Sequence, residues 1–149
     1  MTAAGDPLAY AGTDQGAFPR PADSTPPPRT ITLEPAPARV RVEFGGTVVA
    51  ETDNALILRE GSLPPALYIP RGDVCWEVMT ESDRQTFCPY KGTARYWSID
   101  AGGRRAENAV WSYPQAIESV AAIRNCVAFY WDRVDAWYLG DERLESPAF

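Results

Sequence analysis

Prolines and aromatic residues occupy different parts of this chain, and their separation limits where a core can form. Eight of the fourteen prolines precede Arg39, whereas fourteen of the seventeen aromatic residues lie between Phe44 and Tyr138. Because burial of large apolar side chains drives folding, the folding unit is predicted at about residues 39–140. A unit of about 100 residues is large enough to fold without a metal or disulfides.

Three segments are therefore expected. Residues 1–28 mix small, polar and proline residues with little periodicity, and they are predicted to form a flexible tail. The run of three prolines at residues 26–28 favours a spacer over a polyproline ligand. Residues 29–140 are predicted to form a single β-rich domain, and residues 141–149 a loose C-terminal tail.

Short runs of alternating apolar and polar residues, separated by turn signals, dominate this domain. Val40, Val42 and Phe44 alternate with charged residues before Gly45-Gly46, a pattern typical of a hairpin with a primed turn. About eight such runs predict a mainly β fold, a compact antiparallel barrel- or sandwich-like domain.

Helical structure is expected at two places only. Apolar residues three and four positions apart predict one short helix at about residues 115–123. A helical turn is also expected near residues 73–79, with Asp73 as its cap.

Charge and residue usage exclude several classes of function. The net charge is -6 and the basic residues are scattered, which argues against a nucleic-acid partner. The chain contains no histidine, so Ser-His-Asp triads, Cys-His dyads and His-ligated zinc are excluded. The three cysteines, Cys75, Cys88 and Cys126, lack the close spacing of a metal site and are expected to be free thiols. No metal or cofactor is predicted.

The sequence also predicts a cytoplasmic protein. Its first residues lack the basic start and apolar run of a signal peptide, and no stretch approaches the roughly 18 apolar residues of a membrane span. No membrane partner is therefore expected.

The block Cys88-Pro89-Tyr90-Lys91-Gly92 is the best candidate for a site. Pro89 restricts the backbone and Gly92 allows a sharp exit, so the turn can present Tyr90 and Lys91 to a cleft. A lysine at such a turn suits a phosphate or carboxylate, and an ammonium beside Cys88 would favour its thiolate. The competing interpretation is that Cys88 only packs and that Lys91 is a solvated charge.

Other side chains complete the candidate site. Asp73 can cap the turn that follows it, or it can pair with Arg71 or Lys91, and the pair with Lys91 would be capable of acid-base catalysis. Trp111 and Tyr113, two positions apart on a strand, share a face, and Tyr96 lies on a second face. These rings form either a ligand-binding wall or ordinary cross-strand packing.

Five sequence blocks in a fixed order carry a family resemblance. They are residues 39–44, 68–74, 88–97, 107–113 and 127–131. Their order resembles the domain-of-unknown-function family 427, sometimes labelled nucleotidyltransferase-like, over about residues 31–138. The resemblance implies a small β-rich domain of bacterial type, with no characterised activity. The usual nucleotidyltransferase pattern, a Gly-Ser pair followed by two paired carboxylates, is not completed after Gly61-Ser62.

Two hypotheses about function follow, with the nucleotidyltransferase-like activity of the family label as a third. In the first, an anionic small molecule binds at Lys91, with Asp73 as acid-base group and a wall formed by Cys88, Tyr90, Tyr96, Trp111 and Tyr113, with or without catalysis. In the second, the domain is a non-catalytic interaction module, in which exposed Trp131 and Trp137 contact a partner or a second copy in a homodimer.

Overall fold

The computed structural model describes residues 30–147, so the predicted tail at residues 1–28 lies outside the described residues. Eleven strands occur in the described part of the chain: β1 (Ile31–Pro35), β2 (Val40–Phe44), β3 (Thr47–Thr52), β4 (Leu56–Glu60), β5 (Ala66–Pro70), β6 (Met79–Cys88), β7 (Gly92–Ala101), β8 (Arg104–Ser112), β9 (Cys126–Phe129), β10 (Ala136–Leu139) and β11 (Glu142–Arg143). Short 3-10 turns occur at Arg71–Asp73, Trp76–Val78, Glu118–Ile123 and Trp131–Arg133.

The strands form two antiparallel sheets. The larger sheet has seven strands in the order β1-β4-β5-β9-β8-β7-β6, and the smaller has four in the order β11-β10-β2-β3. Over residues 30–147 neither sheet closes on itself, so the sandwich-like alternative fits and the barrel does not. The prediction of a mainly β fold is confirmed.

Alternation along the strands gives the seven-stranded sheet two buried faces. One face, with Ile69, Ile99 and Val127, packs against Val40 and Val49 of the smaller sheet. On the opposite face lies a second group of buried residues, which we call the aromatic cluster. Its members are Leu58, Tyr68, Cys88, Ala94, Tyr96, Trp111, Tyr113, Ala116, Val120, Ile123, Cys126, Ala128 and Tyr130.

The predicted helix at residues 115–123 is a pair of 3-10 turns at Glu118–Ile123. Val120 has φ -126° and ψ 32°, which interrupts the helical geometry. The kink allows Val120 and Ile123 to enter the aromatic cluster, while Ile117 just before them is 43% exposed. The three- and four-residue spacing therefore predicted a helical segment correctly but not its type.

Two details differ from expectation near residues 73–79 and at the C-terminus. Helical turns do occur at Arg71–Asp73 and Trp76–Val78, but neither has a side-chain cap, so the prediction that Asp73 caps a turn is wrong. Strand β11 lies within the segment predicted to be loose, and it pairs with β10.

Two glycine turns join the sheets at one corner. The β2–β3 turn at Gly45-Gly46 and the β7–β8 turn at Gly102-Gly103 all have positive φ, as primed hairpin turns require. A Cβ on Gly45 would overlap the carbonyl oxygen of Ala101, and a Cβ on Gly102 would overlap that of Gly45. The predicted β2–β3 hairpin is confirmed, and its turn packs directly against the β7–β8 turn.

Asp135 reinforces this corner from the start of β10. Its Oδ2 accepts hydrogen bonds from the backbone N–H of Gly45 (2.8 Å) and from Nη1 of Arg104 (2.7 Å). The Arg104 hydrogen bond, followed by that of Gly45, lowers the pKa of the Asp135 carboxyl.

We expect Gly45→Ala to destabilise the protein much more than Gly46→Ala. Both substitutions place a side chain at positive φ, which costs about 1–2 kcal/mol. A Cβ on Gly45 would also overlap the backbone of Ala101, whereas a Cβ on Gly46 would have no atom within 4 Å. Urea unfolding should show a loss of at least about 3 kcal/mol for Gly45→Ala. Equal losses in the two variants would contradict close packing of the turns.

The lowered pKa of Asp135 predicts a loss of stability in acid. Because the folded-state pKa lies below the unfolded value of about 3.9, the stabilisation is present above that value. It should disappear as pH falls through the folded pKa. Asp135→Asn should flatten this part of the stability-pH curve, measured by urea unfolding between neutral pH and about pH 2. Asp83→Asn, at an exposed position on β6, is the matched control, and an equal flattening there would contradict the assignment.

Candidate functional site

A three-residue hairpin loop presents Lys91 between β6 and β7. Cys88 and Gly92 are paired across the hairpin, and the Lys91 N–H donates to the Cys88 carbonyl at 3.1 Å. Gly92 adopts φ 125°, where a side chain would be strained. The Lys91 carbonyl accepts from the N–H of Ile117 at 3.0 Å, which fastens the loop to the segment covering the aromatic cluster. The predicted turn is therefore present.

Lys91 turns inward and is buried. It is the single lysine of the 149-residue chain, the other basic residues all being arginines, and it is 3% exposed. Its Nζ donates to Oε1 of Glu60 at 2.5 Å, and both side chains of this pair are only 4% exposed. The interpretation of Lys91 as a solvated turn charge is wrong.

Glu60 reaches the site through the alternation of β4. Leu56, Leu58 and Glu60 occupy every second position, so all three side chains point to the same face of the sheet. Glu60 was not singled out as a site residue in the sequence analysis. The sequence does contain a signal for it, because Glu60 follows Leu56 and Leu58 at the two-residue spacing that places side chains on one face of a strand.

Tyr113 lies beside the charged pair. Its ring centroid is 5.7 Å from Nζ of Lys91, a cation–π distance, and the residue is fully buried. Its hydroxyl has no hydrogen-bond partner among the described residues. Burial is the main cause that raises the pKa of Tyr113 well above its ordinary value, and the nearby Glu60 carboxylate adds to it.

Further aromatic residues pack around this centre. Trp111 Nε1 donates to the hydroxyl of Tyr68 at 3.0 Å, and its ring lies 4.6 Å from that of Tyr130. The hydroxyls of Tyr96 and Thr86 are 2.9 Å apart. Burial raises the pKa of Tyr68 and of Tyr96. These phenols therefore stay protonated at neutral pH and act as hydrogen-bonding groups rather than as anions.

Most of the predicted site residues come together here. Cys88, Tyr96, Trp111 and Tyr113 are members of the aromatic cluster, and Tyr90 is half-buried against its outside. The faces of Tyr96 and Trp111, expected to be separate, are one, because the two residues are paired across β7 and β8.

Asp73 is elsewhere, and the predicted pair of Asp73 with Lys91 is wrong. After β5 the chain crosses to the smaller sheet, where Val74 forms a bridge with Ala50. Asp73 therefore accepts a hydrogen bond from Thr52 Oγ1 at 2.7 Å. It lines a groove of about 250 Å³ that also contains Arg39, Glu51 and Asp53.

The tryptophans assigned to an exposed contact patch are mostly covered. Trp137 is 3% exposed, and Trp131, which is half-buried, stacks on it with centroids 5.1 Å apart. The expectation of an exposed Trp137 is wrong, because β10 turns that side chain into the core between the sheets.

Over residues 30–147 no three Cys, Asp or Glu residues are arranged to hold a metal ion, and Cys75, Cys88 and Cys126 are free thiols. No helix in the same range has the length and apolar character that a bilayer span requires.

We expect Lys91→Met to destabilise the protein by about 3–5 kcal/mol, because it removes the ammonium that contacts the buried Glu60 carboxylate. The double variant Lys91→Met with Glu60→Gln should recover much of this loss, since both charges are then removed. Arg59→Met is the matched control, because Arg59 forms an exposed pair with Glu34, worth less than about 1 kcal/mol. Urea unfolding measures the free energy of unfolding of all three variants. If Lys91→Met is as stable as Arg59→Met, the burial of a charged pair is contradicted.

Comparison with known proteins places the whole domain in one family. The family model described as a domain of unknown function (DUF427), whose short label refers to nucleotidyltransferases, matches residues 32–140. No curated protein matches the chain significantly. The match includes both members of the Lys91–Glu60 pair and the aromatic cluster, and it confirms the resemblance seen in the sequence blocks. The chain therefore belongs to the domain-of-unknown-function family 427.

Proposed function

We propose that the Lys91–Glu60 pair is the centre of a binding site for a small molecule with an anionic group. The observation that carries the proposal is the burial of the chain's single lysine against a carboxylate. Desolvating two charges costs several kcal/mol per ion, and an apolar pair of similar size is often as stable. Stability alone is therefore a poor reason for such a pair, whereas binding sites typically contain a few polar groups among apolar and aromatic side chains.

The chemistry of the pair defines the ligand further. An ammonium has three donor protons, and Glu60 accepts one of them, which leaves donors for an anion. Because Glu60 offsets the charge of Lys91, a bare anion gains less here than a ligand that also donates a hydrogen bond to Glu60. A hydroxy acid or a sugar phosphate has both groups, since each places a hydroxyl near its anion.

The surrounding residues suit the same ligand class. Tyr113 supplies a ring face and a buried hydroxyl, while Tyr96 and Trp111 supply apolar walls with polar edges. Cys88 packs beneath the loop. Pro89 and Tyr90 are half-buried, so the residue directly before the buried Lys91 is in contact with solvent. A ligand would therefore reach Lys91 by passing Tyr90. Catalysis at this pair stays a prediction, with Glu60 in the role that Asp73 cannot fill.

The other predicted functions receive less support. Nucleotidyl transfer needs carboxylates that converge on a metal ion, and the described residues contain no such group. Exposed Val48 and Ile117 are separate large apolar residues rather than a continuous patch around Trp137. A homodimer and a cytoplasmic location stay predictions.

Thermal unfolding with added anions tests the proposed site. Glycolate, inorganic phosphate and a neutral sugar would each be added to the wild type, to Arg59→Met, and to the double variant Lys91→Met with Glu60→Gln. A ligand at a hundred times its Kd stabilises by about 2.7 kcal/mol. We expect a rise in Tm with glycolate or phosphate in the wild type and in Arg59→Met, and none in the double variant. Equal responses in all three proteins, or no response to any anion, would overturn the proposal.

A further inference from the structure

Lys91 differs chemically from every other cationic side chain in the sequence. A guanidinium stays charged under all ordinary conditions, whereas an amine can release its proton and act as a nucleophile. Among the described residues, arginines form exposed ion pairs such as Arg39–Asp53 and Arg95–Glu81. The one amine on a side chain is buried, with a carboxylate oxygen 2.5 Å from its nitrogen. Charge alone does not require a lysine at this position.

We propose that Lys91 is a nucleophile that condenses with the carbonyl group of a small 2-oxo acid to form an imine. This inference rests on the proposed binding site and assigns its substrate class. The carboxylate of the 2-oxo acid is the anionic group expected there, and the carbonyl carbon adjacent to it is the atom that Nζ attacks.

Glu60 carries the protons of the reaction. Its Oε1 first takes a proton from the Lys91 ammonium, which frees the lone pair on Nζ. Nζ then bonds to the carbonyl carbon as the C=O π pair moves to oxygen, and that oxygen takes the proton from Glu60 to give a carbinolamine. Glu60 next accepts a second proton from Nζ and gives it to the hydroxyl, which leaves as water as the C=N bond forms. One water is released, no oxidant or reductant is needed, and Glu60 ends as a carboxylate beside the cationic iminium.

Tyr113 is placed to hold the substrate. Its fully buried hydroxyl has no partner among the described residues, and its ring lies 5.7 Å from the attacking nitrogen. A phenol donates a strong hydrogen bond to a carboxylate. The ring face also attracts the iminium as it attracts the ammonium. Tyr113 therefore contributes both to the binding of the 2-oxo acid and to the stabilisation of the positive charge on the iminium product.

The aromatic cluster also favours an imine by limiting water. Trp111, Tyr113, Val120 and Ile123 are each 2% exposed or less, so the centre is largely closed to solvent. Because imine hydrolysis consumes one water, a site that excludes water slows the reverse reaction.

Reductive trapping of the native protein tests the inference without any variant. The protein is incubated with glyoxylate and cyanoborohydride, and modified peptides are located by mass spectrometry. The α-amino group of the same chain serves as internal reference. We expect Lys91 to gain the mass of one carboxymethyl group before the α-amino group does. Modification of the α-amino group while Lys91 stays unmodified until urea unfolds the protein would overturn the inference.

Two variants show whether trapping at Lys91 depends on proton transfer by Glu60 and on substrate binding by Tyr113, or only on the accessibility of the lysine. Glu60→Gln keeps a hydrogen-bond acceptor but cannot shuttle protons, so it should slow trapping at Lys91 by about a hundredfold. Tyr113→Phe should weaken the binding of glyoxylate, so that a higher glyoxylate concentration is needed for the same rate of trapping at Lys91. Trapping by formaldehyde, which has no carboxylate, should change little. If Lys91 is trapped equally fast in the wild type and Glu60→Gln, the assigned mechanism is wrong.

The result also separates this inference from the proposed binding site. If glycolate raises Tm through Lys91 and glyoxylate is never trapped there, the binding site stands and the imine chemistry fails. If glyoxylate is trapped at Lys91 and no anion shifts Tm, the amine is reactive and the anion-binding proposal fails.

Discussion

One charged hydrogen bond joins distant parts of the seven-stranded sheet and organises the face on which the aromatic cluster lies. Lys91 comes from the β6–β7 turn at one edge, and Glu60 comes from the end of β4 near the other. The two residues are 31 positions apart in sequence. Because both side chains are removed from water, loss of either is expected to destabilise the other, so the position of the turn is coupled to that of β4.

The rest of the fold makes this arrangement possible. Alternation along each strand gives the large sheet one face for the smaller sheet and another for the aromatic cluster. The segment at residues 116–123 then covers the second face, anchored by the hydrogen bond from Ile117 to Lys91. At the opposite face, the Gly45 and Gly102 turns hold the two sheets together. The candidate site thus lies among packed side chains of the aromatic cluster, while its centre consists of polar groups that packing does not require.

The sequence predicted the parts of the site that depend on local pattern. The Cys88–Gly92 turn follows from proline and glycine chemistry, and the shared face of Trp111 and Tyr113 follows from the two-residue period of a strand. The partner of Lys91 could not be found in this way, because nothing local relates position 60 to position 91. Asp73 was misplaced because the path of the chain after β5 depends on its contact with the smaller sheet. Trp137 was expected to be exposed because local pattern does not show which face of a strand is covered.

Lys91 and Glu60 form a buried pair, and the single lysine permits a direct measurement of that pair and of the ligand proposed for it. With 15N-labelled lysine, the side-chain ammonium gives one NMR signal for the whole protein. We expect this signal to be protected from exchange with solvent, to change when Glu60 is replaced by Gln, and to shift on addition of glycolate but not of a neutral sugar. A rapidly exchanging signal that responds to neither Glu60→Gln nor glycolate would contradict this expectation.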